Sequence, residues 1–76
     1  MSQVTEKKNI IGLRVRDCRL SKGWSQADLE RECSLHGIDM TRSKLAKIES
    51  GMIRVTDGMI RDLCVVLGTD ANSLFE

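Results

Sequence analysis

The sequence contains no proline and no tyrosine, and its only aromatic residues are Trp24 and Phe75. So few rings argue against a base-stacking surface for single-stranded nucleic acid. Cysteine is limited to Cys18, Cys33 and Cys64, an odd and widely spaced set that is not a disulfide framework. Each falls at or near an apolar helical face, so buried free thiols in a reducing compartment are expected. The longest fully apolar run, residues 63–67, is far too short to cross a bilayer. No secretory apolar region precedes a cleavage site, and a cytoplasmic protein without membrane contact is expected. No Ser/His/Asp set, paired-acid arrangement or phosphate loop stands out, which argues against an enzyme.

What is present points to one small helical domain. Seventy-six residues with 41% hydrophobic content supply one core and little more. Leucine, charged residues and helix formers dominate, so the expected class is all-α. Net charge is only +1, but it is segregated. Residues 1–24 carry +4, residues 25–40 carry −3, residues 41–54 carry +3 and residues 55–76 carry −3. Such blocks suit a two-faced molecule with one basic side; ordinary solvated helix faces would give the same segregation.

Along the chain, residues 1–9 lack periodicity and read as a flexible tail, with residues 10–76 as the domain. Lys7 and Lys8 could serve as a basic arm on phosphates, although a loose terminus is the simpler reading. A first helix is expected over residues 9–22, capped by Asn9 and stopped by Gly23, with Ile11, Val15, Cys18 and Leu20 as its apolar stripe. The organising stretch follows, residues 25–51. Ser25 is a good N-cap, and Asp28 three residues later completes a capping box. Trp24 and Leu29 flank that box as a hydrophobic staple. Leu29 and Cys33 face the core, with Leu35 extending the face, and Gly37 and Ile38 suit a Schellman ending in which Ile38 packs back on Cys33. The pattern recurs at Thr41. Met40 and Leu45 form the second staple, and a third helix covers residues 42–50. It needs only Leu45 and Ile48 buried, which leaves Arg42, Ser43, Lys44 and Lys47 outward. A short helix held from behind, with cations and a hydroxyl in front, suits the major groove of DNA. Thr56 caps a fourth helix carrying Ile60, Leu63, Cys64 and Leu67 and ended by Gly68. Asp70 caps a short fifth helix, where Leu74 and Phe75 close the core.

From Ile11 to Phe75 the chain resembles the phage-repressor/Cro-type helix-turn-helix family, often called XRE. The carrying residues are SQADL at 25–29, LAKIESG at 45–51 and LGTDANSLF at 67–75. The resemblance implies a five-helix bundle that binds double-stranded DNA as a transcriptional regulator of the repressor type. It also implies that Arg42, Ser43 and Lys47 reach base edges, while Lys44 and Arg54 meet phosphates. Gln26, at the positive end of the second helix, would bind a phosphate and brace the start of the third. Arg19 and Glu49 match positions that pair across the bundle. The sequence departs from the family at three places: about five surplus residues near 34–38, Glu30 where the family usually has alanine against the third helix, and an apolar loop at Met52 and Ile53 with only Arg54 basic.

Two other readings are weighed. Cys33-x-x-His36 has a ligand-like spacing that Cys18 and Cys64 could join. There is no second close Cys/His pair, so neither a metal nor a cofactor is expected. The serious alternative is an antitoxin-like or accessory module that holds a protein partner, since such proteins share the fold. The basic outer face of the third helix favours DNA. A single small domain reads few base pairs, so a homodimer on a two-fold operator is expected, with Met59, Val65 and Phe75 as candidates for its interface.

Overall fold

The computed structural model describes residues 11–75, with the side chain of Phe75 excepted. These residues form α1 (Gly12–Ser21), α2 (Gln26–Leu35), α3 (Arg42–Glu49), α4 (Asp57–Leu67) and α5 (Ala71–Phe75). None of these helices is long and apolar enough to cross a membrane. One core cluster, built on Val15, Leu29, Cys33, Leu45, Ile48, Leu63 and Leu74, draws on all five helices. α1 packs on α3, α4 and α5, and α2 packs on α3 and α4.

Local chemistry sets most of the helix starts. Ser25 Oγ accepts from the Asp28 N–H at 3.0 Å, and the Asp28 carboxylate accepts from the Ser25 N–H at 2.8 Å. The box is complete, so two donors that the helix cannot satisfy are satisfied reciprocally. Thr41 accepts from the Lys44 N–H, Thr56 from the Met59 N–H, and Asp70 from the Ser73 N–H. Helix α2 ends in a Schellman motif: Gly37 N–H donates to Ser34 C=O at 2.9 Å and Ile38 N–H to Cys33 C=O at 2.8 Å. Gly37 holds φ 73° there, a left-handed conformation that a Cβ would strain. Residues 34–38 thus span the end of α2 and the start of its connection to α3.

Four expectations need correction. The first helix begins at Gly12, and its N-cap position is Ile11 with no side-chain cap; Asn9 lies outside the described residues, as do Lys7, Lys8 and the rest of the expected tail. Leu20 is 51% exposed. The inward position four residues after Val15 is taken by Arg19 instead, one turn further along the same stripe. Leu35 is 72% exposed, because it lies roughly 240° round the helix from Leu29. Finally, α3 stops at Glu49, and Ser50 is its C-cap.

One close approach positions α3. A Cβ placed on Gly12 would sit 2.4 Å from the Ile48 carbonyl oxygen and 2.8 Å from that of Glu49. The start of α1 therefore lies directly against the backbone at the end of α3, and only a residue without a side chain fits.

Candidate nucleic-acid interface

The rear of α3 is fixed by its apolar residues and by one ion pair. Leu45 and Ile48 are fully buried. Met40, just ahead of the Thr41 cap, is buried as well, so the second staple closes as its spacing requires. Arg19 and Glu49 are 7% and 6% exposed. Arg19 Nε donates to Glu49 Oε2 at 2.7 Å, and Nη2 donates to Oε1 at 2.9 Å. The third guanidinium nitrogen, Nη1, donates to the Trp24 carbonyl at 2.7 Å. A planar fork meeting a carboxylate in two parallel bonds is the geometry in which Arg binds most strongly. Its bond to Glu49 holds the Arg19 guanidinium above its ordinary pKa, against the opposing effect of burial. Among the described residues no buried side-chain nitrogen or oxygen lacks a partner, so this charge is buried without an orphaned atom.

Gln26 joins the same cluster. Its Nε2 donates to Glu49 Oε1 at 3.2 Å. The expectation that Gln26 braces the start of α3 is therefore corrected: the amide reaches its end. The long connection between the helices carries the start of α3 to another part of α2. There Glu30 Oε2 accepts from the Arg42 N–H at 2.9 Å, so the unusual carboxylate on α2 caps α3. Around the ion pair, Arg16, Arg19, Gln26, Ala46, Glu49 and Ser50 line a polar cleft of about 220 Å³.

The front of α3 is solvent-facing. Arg42, Ser43, Lys44 and Lys47 are all exposed, and so is Arg54 beyond the helix. Among the described residues none of these cations is in an ion pair; the pairs are Arg19–Glu49 and the exposed Arg31–Asp28. Unneutralised cations on one short helix form a surface that attracts an anion. Met52, next to this face, is exposed and apolar.

Two features here were missed by sequence reasoning. Glu30 acts twelve residues away, across the turn. Arg16, three residues before Arg19 on α1, shares the cleft with Gln26, and its helical spacing from Arg19 is the signal that could have found it. Cys33 and His36, whose spacing alone is ligand-like, separate: Cys33 is in the core and burial pushes its thiol pKa up, while His36 is exposed, its Nδ1 2.9 Å from the Glu32 carbonyl. Among the described residues no three His, Cys, Asp or Glu side chains gather as metal ligands.

Residues 10–74 match the helix-turn-helix domain family. Among solved structures, the restriction-modification controller protein C.AhdI from Aeromonas hydrophila is 32% identical, with 86% of this chain and 91% of that chain covered and a TM-score of 0.72. The hypothetical transcription factor NHTF from Neisseria is 24% identical over 100% of this chain and 85% of that one, with a TM-score of 0.74. SinR, the master regulator for biofilm formation, solved in complex with DNA, is 24% identical over 87% of this chain and 98% of that one, with a TM-score of 0.73. No curated protein matches the chain. The five helices, the two capped helices at 26–35 and 42–49 and the matched span agree, and the chain belongs to the helix-turn-helix domain family, as a DNA-binding transcriptional regulator of the phage-repressor/Cro type and not an enzyme.

Proposed function

We propose that the protein is a sequence-specific regulator, repressor-like in action, that places α3 in the major groove of double-stranded DNA. The observation that carries the proposal is the division of α3 into a back locked by Leu45, Ile48 and Glu49 and a front of exposed Arg42, Ser43, Lys44 and Lys47. Arg42 and Lys47 can donate to guanine O6 and N7, and Ser43 to either kind of base edge. Lys44 and Arg54 neutralise phosphates. Gln26, the first residue of α2, meets a phosphate at the helix N-terminus through whichever amide hydrogen its bond to Glu49 leaves over. Phosphate contacts set the register and base contacts set the sequence. C.AhdI, a relative of similar length, is a restriction-modification controller protein, which supports a regulatory task. A cytoplasmic location, which keeps free thiols reduced, goes with this reading.

The protein would act as a homodimer on a two-fold operator, because one short recognition helix covers too few base pairs for tight discrimination. Val65 is exposed on α4, and an apolar groove lined by Asp57, Ile60, Arg61, Cys64 and Ala71 runs between α4 and α5. Both support a partner subunit on that side; Met59 is half-buried against the core, and the Phe75 side chain is outside the described residues. The protein-holding alternative draws less support, since the front of α3 offers cations rather than apolar side chains.

Selection of bound sites from random duplex DNA at two salt concentrations tests the proposal. A two-fold enriched motif, with affinity falling as salt rises, is the expected result. Salt-dependent binding without enrichment would reduce the surface to a phosphate attractor, and a monomeric mass in sedimentation with and without the enriched duplex would remove the dimer.

A further inference from the structure

We propose that Glu30 is a specificity-determining residue: its carboxylate occupies the N-terminus of the recognition helix, positions Arg42 and suppresses sequence-independent binding. The inference rests on the reading of α3 as the DNA-reading helix. The first turn of any α-helix presents N–H groups without intrahelical partners and the positive end of the helix dipole. That combination attracts phosphate. In α3 the attraction is answered from inside the molecule. Thr41 Oγ1 takes the Lys44 N–H at 3.1 Å, and Glu30 Oε2 takes the Arg42 N–H at 2.9 Å. The second bond brings a full negative charge to the place where a backbone phosphate would otherwise be drawn.

Two consequences follow. Arg42 is the first residue of α3, and its backbone is tied to the middle of α2, a helix anchored by fully buried Leu29 and Cys33. The pivot from which its side chain reaches a base is therefore held by a rigid neighbour rather than by the turn. The carboxylate also repels phosphates near Arg42 while leaving uncharged base edges unaffected. Every duplex presents phosphates, so the charge lowers the phosphate-driven affinity for all of them, and discrimination rests on Arg42, whose backbone the same carboxylate holds. Among the described residues Glu30 is in no ion pair.

The two effects separate in two variants of the full chain. Glu30→Gln keeps an oxygen to accept the Arg42 N–H and removes the charge. Glu30→Ala removes both. Each is measured by thermal melting, by affinity and salt dependence on a scrambled duplex of the same length as the selected site, and by repeated site selection. Glu30→Gln should bind the scrambled duplex roughly three- to tenfold tighter at low salt, with a steeper salt dependence and an unchanged selected motif. Glu30→Ala should share that gain and also lose preference at a single base position, the one read by Arg42. Wild-type affinity of Glu30→Gln for the scrambled duplex, or an undegraded motif in Glu30→Ala, overturns the proposal. Failure of the wild type itself to bind any duplex in a salt-dependent way overturns the DNA reading along with it, and is a different result from either.

Discussion

At its C-terminal end α3 is tied into the core, with Glu49 on Arg19, Ile48 fully buried and the backbone pressed against Gly12. At its N-terminal end the polar ties of the same helix, at Thr41 and Glu30, lie at the surface, ahead of the buried Leu45. The difference teaches where this molecule can vary. Changes at the rear remove buried, mutually dependent contacts and should cost folding. Changes at the front touch exposed groups and should alter what is bound while the fold survives. That division is expected of a reader whose scaffold must stay fixed while its readout changes.

The rear is broken hardest by Glu49→Ala. It leaves the Arg19 guanidinium buried with only the Trp24 carbonyl, and an uncompensated buried charge costs about 3–5 kcal/mol. A melting experiment should show the largest loss of any single exchange considered. Equal thermal stability of wild type and variant would mean that the pair contributes nothing to the anchoring. Gly12→Ala comes next. Its methyl group would meet two carbonyl oxygens within 3 Å, so α1 and α3 must separate, at about 1–3 kcal/mol with the upper end expected for contact with backbone. A melting temperature equal to wild type would show that the approach of the two helices is looser than its geometry.

The front is sharpened by Arg42→Ala. Because Arg42 is exposed, thermal stability should be unchanged. Binding should weaken by about 1–3 kcal/mol at one base position and specificity there should relax. Uniform weakening over all sequences would make Arg42 a phosphate contact instead, and a drop in melting temperature would erase the contrast between the two ends.

How much of this was readable beforehand follows the range of each interaction. The caps at Ser25, Thr41, Thr56 and Asp70 act over three residues, and the staples and the ending at Gly37 over five, so spacing alone locates them. One misjudged face arose where a charge took an apolar position: Arg19, rather than Leu20, continues the stripe from Val15, because a carboxylate thirty residues away answers it. Periodicity cannot see that partner. The same holds for Glu30 on Arg42 and for Gln26 on Glu49. Each is a side-chain bond across a turn whose geometry is set only after α2 and α3 have packed. The fold was legible because it is built from local rules; behind the candidate interface the Arg19–Glu49 pair was expected from the family resemblance and is present, whereas the bonds of Glu30 and Gln26 were not foreseen.

The smallest expected effect lies at Asp28, which belongs to the exposed ion pair rather than the buried one. Its carboxyl is held below the usual aspartate range, first by the Ser25 backbone N–H, then by the Ser25 hydroxyl, with Arg31 adding a little. A carboxyl whose pKa is lowered in the folded state stabilises it above the unfolded value, and that contribution fades as pH falls through the folded one. Asp28→Asn keeps an acceptor for the capping box but has no charge to titrate. The gap in melting temperature between wild type and Asp28→Asn should therefore be small and constant above about pH 5, and should close as acid protonates the wild-type group. Arg31→Ala should barely move it, since an exposed pair of this kind contributes little. A gap that persists unchanged into acid would mean that Asp28 acts by shape alone, and that the start of α2, unlike the rear of α3, owes nothing to charge.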